Sequence, residues 1–166
     1  MKLSEIREKL VEIVETVSKE DELKNRTYNL LTKLEEFFQD LLLSRIDEKL
    51  AGMKVLDPRE YRFAIADVQI IIEIRRSLEN RPKVLVDVIP PSELKNEYYR
   101  VGIQDRSVLN NIVRIESIVR VLENTEELYE ILNRTCEELK EKVARLEKTF
   151  EDLRKKAAKY LVAKNI

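Results

Sequence analysis

Carboxylates are the only groups in this sequence numerous enough to suggest catalysis. Adjacent pairs occur at Glu35/Glu36, Glu126/Glu127 and Glu137/Glu138, the kind of arrangement that holds Mg²⁺ in pyrophosphatase-like helical sites. On charge-rich helices such pairs ordinarily form a solvated face, and the rest of a catalytic apparatus is missing. The chain has no His, so the usual general base, triad partner and zinc imidazole are absent. A lone cysteine, Cys136, cannot build a thiolate zinc site. Two glycines cannot supply a dinucleotide fingerprint or a phosphate-cradling loop. The sequence therefore predicts no catalytic residue, no cofactor, no metal and no small-molecule ligand.

Two cationic clusters remain. Arg75, Arg76, Arg81 and Lys83 form one, and Arg154, Lys155, Lys156, Lys159 and Lys164 the other. Cations suit helix C-termini, where they complement the backbone dipole. The sharper reading is phosphate contact within a nucleic-acid assembly. A formal net charge of −1 gives no global field that would steer the chain to nucleic acid on its own. Tyr98-Tyr99 beside Arg100 is the main aromatic cluster, either packed into a local core or offered as an aromatic-plus-Arg hot spot to a protein partner.

The strongest pattern lies further on. Leu132, Cys136, Leu139, Val143, Leu146, Phe150, Leu153, Ala157 and Tyr160 recur at alternating spacings of four and three, the a/d seam of a coiled coil. Such a seam must be buried against another helix, and Cys136 within it reads as a small hydrophobe rather than a reactive thiol. Packing against the N-terminal helix is one solution, because Leu3, Ile6, Leu10, Ile13 and Val17 share the periodicity. Self-association is the other. A parallel dimer would set Lys142 against Glu147, but the remaining flanking residues (Thr135, Lys140, Thr149, Arg154, Lys156) are neutral or basic. An antiparallel dimer or an acidic partner helix fits better.

The elements that carry these groups read as follows. Helix 1 covers roughly 3–18, and Ser18 or Asp21 caps a second helix over 22–53 with a wide apolar stripe from Leu30 to Met53 and Gly52 at its stop. Asp57-Pro58-Arg59-Glu60 has the form of a capping box with Pro at the first helical position, which predicts a third, central helix to about Asn80. Residues 83–89, β-branched and bounded by Pro82 and Pro90-Pro91, read as a strand. Its expected mate is Tyr98–Ile103, with a short helix over Ser92–Arg100 as the competing reading. Asp105 or Ser107 caps a fourth helix. Asn124-Thr125-Glu126-Glu127 could break it, or a single helix could run over 107–162. The expected fold is mainly α: a helical bundle with a long C-terminal coiled-coil-like helix and a small hairpin between helices 3 and 4. It divides into a three-helix region 1–80, a connector 81–106 and a heptad region 107–166.

One cysteine, a charge-studded N-terminus and no long apolar run point to a cytoplasmic protein with no membrane association. The abundance of Glu, Lys, Arg, Ile and Val leans toward a thermophilic source. Leu41-Leu42-Leu43-Ser44-Arg45-Ile46-Asp47-Glu48-Lys49-Leu50, then Leu56-Asp57-Pro58-Arg59-Glu60-Tyr61, then Glu73-Ile74-Arg75-Arg76 partly resemble the helical domain of GINS subunits. Those small archaeal and eukaryotic proteins bridge replicative helicases to other fork factors. The resemblance covers residues 28–80 only, and 84–103 lacks the Gly-rich turns of that family's β domain. It implies a scaffold in DNA replication. Together these features predict a non-catalytic structural or adaptor subunit acting through helix–helix contacts, with a nucleic-acid-associated subunit as the alternative.

Overall fold

A computed structural model describes residues 2–164, with side chains through Leu161. The chain is mainly helical, with a three-stranded antiparallel sheet and a long C-terminal helix. It divides into two units, Met1–Asn124 and Thr125–Ile166.

The first unit opens with α1, a single helix of 42 residues over Lys2–Leu43, about 63 Å long. The break expected at Ser18–Asp21 does not occur. Cap-type residues only permit a helix to start. No Gly or Pro interrupts this run of Glu, Lys and Leu, and Thr16, Thr27 and Thr32 each return their hydroxyls to the carbonyl four residues back. The helix also ends earlier than expected. Arg45 takes a left-handed conformation (φ 59°) and starts a short helix, α2, over Ile46–Leu50. Gly52, at φ 85°, follows it, a conformation that costs glycine little.

The central helix expected over 58–80 is a β-hairpin. β1 runs over Arg59–Ile65 and β2 over Val68–Arg76, paired from Arg59↔Ile74 to Ile65↔Val68. Tyr61, Phe63 and Ile65 alternate with Arg62 and Ala64 and share one face with Ile70 and Ile72 across the pair and with Ile74. β-branched and aromatic residues at period two outweigh the helix-start signal of Asp57-Pro58. Ala66 and Asp67, both at positive φ (49° and 65°), close the two-residue hairpin, where Asn-Gly would be the usual choice.

β3 covers Pro82–Ile89, in agreement with the strand expected at 83–89. Its mate is β2 (Gln69↔Ile89 to Arg76↔Pro82), not Tyr98–Ile103, so the sheet order is β1-β2-β3. Pro82, with no amide proton, sits at the first residue of an edge strand, where proline does least harm. Residues 92–100 form the competing element, helix α3 over Ser92–Arg100.

α4 spans Arg106–Leu122, and the Asp105 carboxylate accepts from the backbone N–H groups of Ser107 and Val108, as a cap should. The core lies between the sheet and the helices. Ile65, Val68, Ile70 and Val88 come from the sheet, Leu31 and Phe38 from α1, and Leu109, Val113, Ile118 and Val121 from α4, all buried. Ser117 is buried among them and satisfies its hydroxyl on the Val113 carbonyl. Lys24 contacts Asp105 and Glu35 contacts Arg114. Contacts advance along both helices together, so α1 and α4 run in the same direction. Residues 2–23 of α1 then extend about 33 Å past the Lys24–Asp105 pair, and every residue of that arm is exposed.

The helix breaks after Leu122, where Asn124 turns its side-chain amide onto the Arg120 carbonyl. α5, over Thr125–Lys164 and 40 residues long, forms the second unit. A helix pair, not one continuous helix, occupies 107–162.

Candidate protein-interaction surface

α5 carries the seam. With Leu at 139, 146 and 153 in the d positions, and no Gly or Pro along its length, it has both the propensity and the pattern of a coiled-coil helix. Leu132 and Leu139 are half-buried, and Cys136 is exposed. Beyond them the stripe is open to solvent: Val143 is 50 % exposed, Leu146 60 %, Phe150 63 %, Leu153 57 % and Tyr160 79 %. A contiguous exposed apolar stripe makes this face a candidate for association, whereas singly scattered apolar residues need no explanation. α1 has a second such stripe in Leu3, Ile6, Leu10, Ile13, Val14 and Val17, all at least half exposed but for Val17 at 49 %.

The aromatic cluster is split. Tyr98 turns inward from α3 onto Leu94, Leu109 and Val113, and its hydroxyl donates to the Glu116 carboxylate. That bond, aided by burial, raises the phenol above its ordinary value of 10.0. Tyr99 is exposed, and Arg100 sits in the last, exposed turn of α3. Tyr98 thus anchors α3 to α4, and only Tyr99 and Arg100 face outward.

The first cationic cluster lies where β2 ends and β3 begins, with Arg75 opposite Lys83. Arg75 pairs with Glu73, Arg81 with Glu79, and Arg76 donates to the Leu56 carbonyl. Arg59, Arg75 and Arg76 line an open hollow of about 600 Å³ together with Pro58, Glu60, Glu73 and Ile74. These cations border a sheet end rather than a helix C-terminus, so dipole complementation is not their role. On α5, Arg154 pairs with Glu151, and Lys155, Lys156 and Lys159 are exposed. The Lys164 side chain lies outside the described residues.

One polar site was not anticipated. Arg114, on the apolar stripe of α4, donates to the Glu35 carboxylate of α1, to Asp87 of β3 at 2.9 Å and to the Val88 carbonyl at 3.0 Å. Burial opposes its charge, but the bonds to Glu35 and Asp87 prevail and hold the guanidinium above its usual range. Arg114 therefore ties three elements together. The signal in the sequence was an arginine among Ile112, Val113 and Ile115, where an unpaired charge would be costly. Glu35, one of the carboxylates weighed above as a metal ligand, is engaged here. Among the described residues, no three Asp, Glu or Cys side chains converge as a metal site would require.

No described helix is long and apolar enough to cross a membrane. Comparison of the chain with protein-family models, with curated proteins and with solved structures finds no match.

Proposed function

We propose that this protein is a non-catalytic structural or adaptor subunit of an intracellular complex, working through helix–helix contacts made by α5. The observation that supports it is the open seam from Val143 to Tyr160. At about 25 cal/mol per Å² of apolar surface, a stripe of this length is a large unspent source of association energy. The first unit, in contrast, has its own core.

Gel filtration of an extract of the native host tests the reading. The chain should elute in an assembly larger than a dimer, and Leu146→Glu, which keeps helix propensity and places a charge in the seam, should release it. Identical elution of both forms would count against the proposal.

A second reading has one observation in its favour: the β2–β3 register gathers Arg75, Arg76, Arg81 and Lys83 at one end of the sheet. Under it the subunit touches nucleic acid inside an assembly, as the resemblance to GINS subunits suggests, with Arg154, Lys155, Lys156 and Lys159 as a second contact. The third helix of that resemblance is a hairpin here. Salt-dependent retention on a DNA or RNA column, lost when Arg75, Arg76 and Arg81 are neutralised, would support this reading. Retention unchanged by those substitutions would remove it.

A further inference from the structure

α5 is polarised in charge. Its first half, residues 125–144, carries six carboxylates against three cations, and its second half, 145–161, carries six cations against three carboxylates. Two copies laid side by side in parallel would set acidic half on acidic half and basic half on basic half. Reversed, each acidic half meets a basic one, and both interactions are repeated by the two-fold symmetry.

The seam selects a register independently of the charge. Counting Tyr129, which is exposed and in phase with it, the stripe runs from Tyr129 to Tyr160. Full antiparallel overlap puts Val143 opposite Leu146 of the second copy. Leu139 then faces Phe150, Cys136 faces Leu153, Leu132 faces Ala157 and Tyr129 faces Tyr160. Large residues thus meet small or medium ones along most of the overlap, as a packed seam requires. The same register brings Lys140, at the edge of the seam, against Glu147 of the second copy, twice.

Other occupants fit less well. The stripe on α1 is flanked by Lys2, Arg7 and Lys9, which would meet Lys140, Lys142, Arg154 and Lys156 beside the α5 seam, cation against cation.

We infer that the α5 seam is closed by the α5 of a second copy of this chain, antiparallel and centred between Val143 and Leu146. The inference rests on the helix–helix reading above and names the first partner of that surface. The charges that directly flank the seam give one Lys–Glu contact per helix in either order, Lys142–Glu147 if parallel and Lys140–Glu147 if antiparallel. The order therefore rests on the opposed charge of the two halves, and the pairing should weaken as salt screens it.

Cys136, the only cysteine, makes the orientation measurable. In the antiparallel register the two Cys136 side chains are about 25 Å apart along the axis, whereas in a parallel pair they adjoin. The experiment treats the full chain with a short bis-maleimide and reads mass by denaturing gel and by light scattering. The wild type should be a dimer in solution yet remain uncrosslinked. Leu153→Cys, which places a thiol opposite Cys136 of the second copy, should become predominantly covalent dimer. Lys140→Glu should reduce that cross-linking several-fold, and Glu147→Lys added to it should restore it. A wild-type dimer cross-linked through Cys136 would overturn the antiparallel pairing while leaving the adaptor reading intact. A mass of 19.7 kDa at every concentration, with no cross-link in either protein, would overturn self-pairing altogether. The gel-filtration test on native extract would still judge the adaptor reading by itself. A pure dimer in that extract, cross-linked through Cys136 and Leu153→Cys, would support this pairing and dismiss the adaptor role.

Discussion

α4 and α5 follow one another in the chain, and both carry periodic apolar residues, yet they use them differently. On α4 the stripe is broad. Leu109, Val113, Ser117, Ile118 and Val121 are buried, with Ile112 and Ile115 half-buried beside them, and Arg114 within the stripe is bound by two carboxylates and a carbonyl. On α5 the stripe is narrow, one or two residues wide, flanked by charge and open over its second half. A broad stripe suits a sheet and a helix packed on it, while a narrow seam suits a single helix. Stripe width, more than hydrophobicity, separates the helix that builds the core from the helix whose stripe stays open to solvent.

The largest test of that contrast is Phe38→Ala. Phe38 is 2 % exposed in the core that α4 completes, and its truncation should cost about 3–5 kcal/mol in urea denaturation. Leu146→Ala at low protein concentration should change stability by less than about 0.5 kcal/mol. Comparable losses at the two sites would break the contrast. Arg114→Met comes next. It forfeits charged hydrogen bonds that are only partly buried, for an expected loss of about 1–2 kcal/mol. Because Glu35 is its partner, the loss should shrink when measured in a Glu35→Gln background, and strict additivity would show that the two do not act together.

Tyr98→Phe should cost about 1 kcal/mol by removing the bond to Glu116. The folded phenol titrates above its ordinary 10.0, so this bond's contribution is full below that value and fades as pH rises through the folded one. Denaturation midpoints of wild type and Tyr98→Phe should therefore converge in strong alkali, and a constant gap would refute the assignment. The smallest effect is at Asp105, where the hydrogen bond from Lys24, with the Val108 N–H, holds the carboxyl below its ordinary 3.8. Its contribution is present above 3.8 and is lost as pH falls through the lower folded value. Asp105→Asn, which keeps a capping oxygen, should flatten that acid-side slope, and high salt should do the same to the wild type.

Much of α5 and α4 could be read from the residues. The seam depends on local chemistry that one stretch contains, while the cap (Asp105 or Ser107) and the break at Asn124 were each one of two readings that the local residues allow and that the structure decides. The strand at 82–89 was equally plain, being β-branched and fenced by prolines. The β1–β2 hairpin was hidden for a physical reason. Val68–Ile74 is apolar on nearly every residue and satisfies either period, Asp57-Pro58-Arg59-Glu60 mimics a helix start, and the Ala66-Asp67 turn lacks the glycine that would announce it. Without β2, β3 has no visible mate in the sequence, so Tyr98–Ile103 competes for that place with the helix that the structure forms over Ser92–Arg100. For Arg114 the sequence shows only a charge among apolar residues; its partners lie 79 and 27 residues away in sequence, and only the packed fold brings them together.

The most direct test of the account is hydrogen exchange measured on the full chain over a range of protein concentrations. α4 amides should be protected equally at every concentration, because their cover belongs to the same unit. Amides of α5 between Leu139 and Tyr160 should exchange fast in dilute solution and become protected as concentration rises. Protection of that stretch matching α4 at the lowest concentration, and unchanged thereafter, would contradict the claim that α5 is held open for a partner.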